Sequence, residues 1–232
     1  MRSRAILLGF DFDGTLAPIC DDPAHARLGR GATALLEQTS QLEGIVVAVV
    51  SGRDADDLAT RIDVPGAYLV GSHGLEIRGP GGVLVRNAAA LDAKLDDDLR
   101  LDIERAGLHL ETKKHALALH WRGRRASDAL LFRFRVWARA AELEVLEGRC
   151  VVEARCRGGG KEEALRWLAQ ATGSERILYA GDDLTDFGAL RLAAERGRAF
   201  FVASSEREPP PGVTVVESFR ELFRVVREEV MV

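Results

Sequence analysis

Leu7-Leu8-Gly9-Phe10-Asp11-Phe12-Asp13-Gly14-Thr15-Leu16 is the stretch that decides how this chain is read. Leu7, Leu8 and Phe10 are apolar strand formers. Gly14 permits a turn with positive φ, and two carboxylates stand at the strand's end. In extended backbone, alternate side chains point to the same side, so Asp11 and Asp13 can face one small volume. Adjacent negative charges repel unless a cation or a shared proton is present. The pattern implies either a divalent metal or one nucleophile beside one protonated acid. Taken alone, Asp-x-Asp-Gly also reads as a charged turn after a strand. A calcium loop needs further oxygen ligands and a closing Glu. Leu16, Ala17, Pro18 and Ile19 occupy that space and exclude it.

Outward from this turn, residues 28–42 are expected to form a helix with Leu35, Leu36, Thr39 and Leu42 on one face, stopped by Gly44. Residues 45–50 are a continuous apolar run, as in an interior parallel strand covered on both faces. The run ends at Ser51-Gly52-Arg53. A short helix over 54–62 and a third strand over 67–70 follow, ending at Gly71-Ser72-His73-Gly74. Strand–helix–strand–helix–strand order implies an α/β core with a parallel sheet. Ligands of such sheets bind beyond the carboxyl ends of the strands, where Asp11, Asp13 and Ser51 lie.

The rhythm then changes. Residues 76–78 and 83–86 flank Gly79-Pro80-Gly81-Gly82 as a hairpin. Leu91, Leu95, Leu99 and Ile103 have helical spacing, with Asp96, Asp97 and Asp98 on a solvated face. Two strands (108–112, 116–121), a helix carrying Leu130, Phe134, Trp137 and Ala141, and two more strands (143–146, 150–155) come next. This is an inserted α+β unit with expected limits of 77–157, leaving 1–76 and 158–232 as the core. The core resumes at Gly158-Gly159-Gly160-Lys161 with a helix over 162–171. A strand over 177–180 leads into Gly181-Asp182-Asp183-Leu184-Thr185-Asp186. A strand over 200–203 and a helix bearing Phe219, Leu222, Phe223, Val226 and Val230 complete the chain.

Composition narrows the class. With 232 residues, 47% hydrophobic and 29% charged, the chain is soluble and globular. Its net charge of −4 argues against a nucleic-acid partner, which needs a basic face. No apolar run approaches the roughly 20 residues of a membrane span, and the N-terminus has no secretory pattern. Cys20, Cys150 and Cys156 lack CxxC spacing and read as free thiols of a cytoplasmic protein.

Four places carry chemistry, each at the end of a core strand or the start of a core helix: Asp11 with Asp13, Ser51, Lys161, and Asp182 with Asp183 and Asp186. Together they supply a nucleophile, an acid, a hydroxyl for an anion, a cation and further carboxylates. That set fits phosphoryl transfer to an aspartate. Oxygen ligands suit Mg²⁺, and no clustered Cys/His set favours zinc.

Phe10-Asp11-Phe12-Asp13-Gly14-Thr15-Leu16, Ser51-Gly52-Arg53, Lys161 and Gly181-Asp182-Asp183 resemble the four ordered motifs of the haloacid dehalogenase superfamily of phosphatases. The resemblance implies a Rossmann-like parallel-sheet core with an inserted α+β cap. A narrower resemblance, to the trehalose-6-phosphate phosphatase family, spans nearly the whole chain. It is carried by Leu16-Ala17-Pro18-Ile19, Gly71-Ser72-His73-Gly74-Leu75-Glu76, Glu111-Thr112-Lys113, His120-Trp121-Arg122, Val151-Val152-Glu153-Ala154-Arg155 and Gly181 to Asp186. Two positions depart from that family's pattern: Glu162 stands where Gly is usual, and Phe187 where an acid is usual.

By that resemblance Asp11 is the nucleophile and forms an aspartyl-phosphate. Asp13 is the acid that protonates the departing sugar oxygen and the base that then activates water. Mg²⁺ is expected on Asp11, Asp182 and the backbone carbonyl of Asp13. Ser51 and Lys161, with Thr15 and Gly52, are expected on the phosphate. Arg53, Asp183 and Asp186 are expected in support, the two acids orienting Lys161 or metal waters; Asp183 and Asp186 also read as caps of the helix that follows. Glu111, Lys113, Arg122, Arg149 and Glu153 are expected to read the sugar, each reading otherwise as an exposed charge on a strand. His73 and His120 read as hydrogen-bonded structural residues. The expected activity is Mg²⁺-dependent hydrolysis of trehalose 6-phosphate by a monomer whose partner is a small sugar phosphate. The rivals are another sugar phosphate or a glycosyl-phosphoglycerate with the same chemistry, and a silent binding domain, which the presence of Asp11, Asp13, Lys161 and Asp182 disfavours.

Overall fold

A computed structural model describes residues 5–20, 22–121, 123–148, 150–203 and 208–230. The elements run β1 (Ile6–Asp11), α1 (Ala32–Ser40), β2 (Ile45–Val50), α2 (Ala55–Arg61), β3 (Tyr68–Gly71), β4 (Glu76–Arg78) and β5 (Leu84–Asn87). Then come α3 (Asp97–Arg105), β6 (His109–Thr112), β7 (Ala116–His120), α4 (Asp128–Ala140), β8 (Glu144–Gly148) and β9 (Val151–Arg155). The chain finishes with α5 (Lys161–Thr172), β10 (Arg176–Gly181), α6 (Phe187–Arg196), β11 (Gly197–Val202), β12 (Thr214–Val216) and α7 (Phe219–Val230).

Two units divide these elements: one contains residues up to 87 and from 159 onward, the other 88–158. The first is built on an eight-stranded sheet of order β12-β11-β10-β1-β2-β3-β4-β5. Neighbours from β12 to β3 are all parallel, and β4 and β5 are added antiparallel. In β1 the two-residue period of a strand splits the side chains between two cores. Leu8 and Phe10 pack with Leu35, Leu36, Val49 and Leu222 on one face. Leu7 packs with Val50, Leu165, Ile177 and Leu190 on the other. Burial on both faces is why these strands are apolar throughout.

Three expectations change. The first helix begins at Ala32, not residue 28, because Gly31 takes a left-handed turn (φ 89) at its start and Gly29 N–H is bonded to Leu16 O. The helix expected from Leu91 begins at Asp97, with acids in its first turn where the helix dipole favours them. Leu91 N–H instead bonds Lys114 O, so 91–96 is a non-helical lead-in. Leu95 is nevertheless buried with Leu99 and Ile103, so the spacing located the core but not the start of the helix. The hairpin expected in the inserted unit belongs to the large sheet, since β4 pairs with β3. The break therefore falls after Asn87, not at 77.

The second unit has an antiparallel sheet of order β6-β7-β9-β8. Leu117 and Leu119 of β7 and Val152 and Ala154 of β9 pack with Leu99, Ile103, Phe134 and Trp137 of α3 and α4. The alternate residues, among them Glu111, Lys113, Ala118, His120 and Glu153, belong to the opposite face. Among the described residues, no helix is long and apolar enough to cross a membrane. The three cysteines are free thiols.

Phe134 is fully buried and Phe132, on the same helix, is 62% exposed. Phe134→Ala is expected to lower the unfolding free energy by about 3–5 kcal/mol in a denaturant titration. Phe132→Ala should change it by less than about 0.5 kcal/mol.

Candidate active site

The chain steps from β1 to β2 and β3 in one direction across the sheet, and from β10 to β11 and β12 in the other. Asp11 ends β1 at that point of divergence, where open α/β sheets form a crevice. Beyond it, Phe12 O accepts hydrogen bonds from Leu16 N (3.0 Å) and Ala17 N (2.8 Å), and Gly14 N donates to Ala17 O (2.8 Å). This tight loop needs glycine at 14 twice over: φ is 88°, and a Cβ would collide with the Asp182 carboxylate. Thr15 Oγ1 also donates to Asp182 Oδ1, at 3.4 Å. The loop after β1 is thus fitted against the end of β10.

Lys161 is the first residue of α5 and is 5% exposed. Its Nζ lies 2.6 Å from Asp11 Oδ1 and 2.7 Å from Asp186 Oδ1. Asp186 is fully buried. Its Oδ1 also accepts from Tyr179 OH (2.5 Å), and its Oδ2 from the backbone N–H groups of Asp182 (3.4 Å) and Asp183 (3.2 Å). Burial pushes the Asp11 carboxyl well above the usual carboxylate range. Lys161 opposes that rise, while Asp186 and Asp182 add to it. Burial pulls the Lys161 ammonium down, but Asp11 and Asp186 outweigh it and hold the group above the ordinary lysine value. The Tyr179 phenol is raised by burial and then by the Asp186 charge, so it stays a proton donor to that carboxylate.

Asp11, Asp182 and Asp186 are all buried, and their ligand atoms lie within 4.8 Å of one another. Hard oxygen donors converging beside a crevice fit a divalent cation of the Mg²⁺ kind. The carboxylate of Asp13 is directed elsewhere. Both its oxygens are held by Arg53, from Nε at 2.7 Å and Nη2 at 2.7 Å. Arg53 Nη1 reaches Asp57 (3.1 Å), and Arg61 holds both oxygens of Asp57. The bond to Asp13 raises the Arg53 pKa against the effect of burial. Burial alone would raise Asp57, but its bonds to Arg61 and Arg53 bring it below the ordinary value.

Ser51 follows β2 beside Asp11, is 2% exposed, and accepts from Arg53 N–H at 3.2 Å. Asp183 is exposed and forms a reciprocal capping box with Asp186 over the turn Leu184–Asp186. Asp186 therefore contacts Lys161, and Asp183 shapes the turn that presents Asp186. Tyr179 is a member of this site that its strand context concealed; a tyrosine in a fully buried strand needs a hydrogen-bond partner, and that was the available signal. The two departures from the family pattern have structural partners. Glu162 pairs with Arg166 at 2.8 Å, and Phe187 packs edge-on to Phe201.

In the second unit, Lys113 Nζ lies 2.7 Å from Glu153 Oε2, and His120 Nε2 2.9 Å from Glu111 Oε2. Register explains the grouping, since Glu111 and Glu153 both stand opposite Ala118. The His120 bond holds the Glu111 carboxyl below its usual range, against burial and with help from Lys113. His120 thus joins the polar set that the sequence places at Glu111, Lys113 and Glu153. Arg122 and Arg149 lie outside the described residues.

The profile of the trehalose-phosphatase family matches residues 9–197. A trehalose-phosphate phosphatase of Mycobacterium avium is 36% identical over 214 residues, covering 85% of this chain and 54% of its own length. An uncharacterised glycosyl hydrolase of Mycobacterium tuberculosis is 37% identical over 224 residues, covering 88% of this chain and 16% of its own. The chain thus spans about half the length of the first relative and a small part of the second. Among solved structures, a trehalose-6-phosphate phosphatase related protein superposes with a TM-score of 0.74 at 23% identity, covering 97% of both chains. A phosphatase of the haloalkanoate (HAD) superfamily from Bacteroides thetaiotaomicron superposes with a TM-score of 0.71 at 16% identity, covering 99% of this chain and 96% of its own. The fold is that of these phosphatases.

Removing Asp186 would leave Lys161 and Tyr179 buried without their shared acceptor. Asp186→Ala is expected to cost about 3–5 kcal/mol of stability, whereas Asp183→Ala, an exposed cap, should cost about 1 kcal/mol. Equal losses in urea unfolding would show that the two acids do not divide their roles in this way.

Proposed function

The chain belongs to the trehalose-phosphatase family, and on that footing we propose that it hydrolyses trehalose 6-phosphate to trehalose and phosphate. The observation that carries this reading is the carboxylate of Asp11, placed at the end of the central parallel strand with an ammonium 2.6 Å away. Such a carboxylate can attack an electrophile approaching from the crevice.

Asp11 attacks phosphorus. Its Oδ–P bond forms as the P–O bond to the sugar breaks, and Asp13 gives its proton to the departing sugar oxygen. Water then attacks the same phosphorus and passes a proton to Asp13, and the Asp11 carboxylate leaves. Lys161, Ser51, Thr15 and the Gly52 N–H hold phosphoryl oxygens as charge moves onto them. Bound by Asp11, Asp182 and the backbone carbonyl of Asp13, Mg²⁺ would supply positive charge where nucleophile and phosphate otherwise repel. Arg53 holds both oxygens of Asp13; carrying a proton in either direction needs one of them out of that clasp. Asp186 keeps Lys161 in place. Glu111, Lys113, Glu153 and His120 supply the mixed donors and acceptors that sugar hydroxyls require. The same reading makes this a cytoplasmic enzyme, in keeping with its free thiols.

Phosphate release from trehalose 6-phosphate, sucrose 6-phosphate, glucose 6-phosphate and mannosyl-3-phosphoglycerate, with Mg²⁺ and with EDTA, tests the proposal. Preference for trehalose 6-phosphate and silence in EDTA are expected. Preference for another ester would replace the sugar but keep the chemistry. Asp11→Asn should lower kcat by more than about 10⁴-fold.

Lys113→Met separates sugar from phosphate. It should lower kcat/KM for the sugar phosphate about 10- to 100-fold while leaving hydrolysis of p-nitrophenyl phosphate unchanged. Equal loss on both esters would remove Lys113 from sugar recognition.

A further inference from the structure

Gly71-Ser72-His73-Gly74-Leu75-Glu76 supplies no group to the scheme above, yet it is bonded to two of the segments that do. Ser72 (φ 49) and His73 (φ 53) are consecutive left-handed residues, an uncommon conformation for side chains with a Cβ. Strained backbone of this kind persists where its surroundings over-determine it, and here they do. Ser72 N–H donates to Arg53 O (2.7 Å), and His73 N–H donates to Ser51 O (2.9 Å). On its other side, His73 O accepts from Gly160 N–H at 2.5 Å, one residue before Lys161. Glu76, 3% exposed, accepts from Ala55 N–H at 3.2 Å and so anchors the start of α2 to the same turn.

The His73 ring completes the arrangement. It packs against the face of Gly52 from which a side chain would project: a Cβ there would lie 2.5 Å from Nε2 and 2.8 Å from Cε1. A Cβ at Gly52 would require the His73 ring to move. Ser51 and Gly52 follow one strand, and Lys161 begins a helix far along the chain. One residue is bonded to both.

We propose that His73 is a positioning residue for phosphate recognition, joining the Ser51-Gly52 loop to the start of α5 and pinning Gly52 with its ring. The proposal rests on the reading of Ser51, Gly52 and Lys161 as the groups that hold the phosphoryl oxygens. It makes His73 indifferent to the leaving group, because it acts on the phosphate side alone.

His73→Gly isolates the ring, since glycine suits the left-handed backbone and retains its hydrogen bonds. The Mg²⁺-loaded variant is compared with the unaltered protein by melting temperature, by kcat/KM on trehalose 6-phosphate and on p-nitrophenyl phosphate, and by binding of inorganic phosphate. The expected result is an unchanged or higher melting temperature with a loss of about 10- to 100-fold in kcat/KM, the same for both esters. Phosphate binding should weaken in parallel. His73→Asn, which tolerates the same backbone and keeps a planar polar side chain, should recover part of the loss; it carries the same measurements should the glycine variant not fold. Unchanged phosphate binding and turnover in the folded variant would overturn the proposal, as would a loss confined to the sugar ester. If the unaltered protein released phosphate from no ester but bound inorganic phosphate, and the variant bound it less well, the catalytic reading would fall while the role of His73 stood.

Discussion

A lysine ammonium sealed between two carboxylates is the constraint around which this core is arranged. Burial raises the Asp11 carboxyl above its usual range, and Lys161 opposes that rise. The Lys161 ammonium, 2.6 Å from Asp11 Oδ1, fixes the Asp11 side chain where the central strand ends. Holding the cluster demands that β1, β10 and α5 meet at one level. Gly14 and Gly181 provide the room, since a Cβ at either would collide with Asp182 or Asp186. Tyr179 and two backbone N–H groups complete the environment of Asp186. Buried ion pairs add little to stability over well-packed apolar residues. This cluster is better understood as preparation for chemistry than as a source of fold stability.

Around that centre the two acids of the first motif are given unlike surroundings by the start of α5 and the loop after β2. Asp11 is buried with a lysine; Asp13 is held by Arg53, itself tied through Asp57 to Arg61 on α2. Two carboxylates in one turn are thereby given different partners, an ammonium for Asp11 and a guanidinium for Asp13, as the proposed roles of nucleophile and proton carrier require. In the second unit the same strand period does different work. Leu117, Leu119, Val152 and Ala154 pack with the helices, while the alternating positions gather Glu111, Lys113, Glu153 and His120.

Much of this was legible in the sequence, for identifiable reasons. Continuous apolar runs such as Ile45–Val50 report burial directly. Acids after strand ends report the crevice side of a parallel sheet. What stayed hidden depends on partners distant in the chain. The hairpin around Gly79-Pro80-Gly81-Gly82 looks like the start of the inserted unit, but only the pairing of β4 with β3 shows that it belongs to the core. Leu91 and Leu95 have helical spacing although 91–96 is not helical, because burial every fourth residue does not require a helix. Asp183 and Asp186 are equivalent as letters; only the position of Lys161 separates them. Tyr179 reads only as part of a strand, and His120 as a hydrogen-bonded structural residue; their partners, Asp186 and Glu111, come from other segments.

The central claim is that Asp11 itself carries the phosphoryl group. The most direct measurement is an acid quench within the first turnover, followed by mass spectrometry of the peptide containing Asp11. The account predicts a phosphoryl group on Asp11 that accumulates before steady state and disappears on further incubation. Phosphate release with no phosphoryl group on any residue at any quench time would contradict it and place water, not Asp11, as the attacking group.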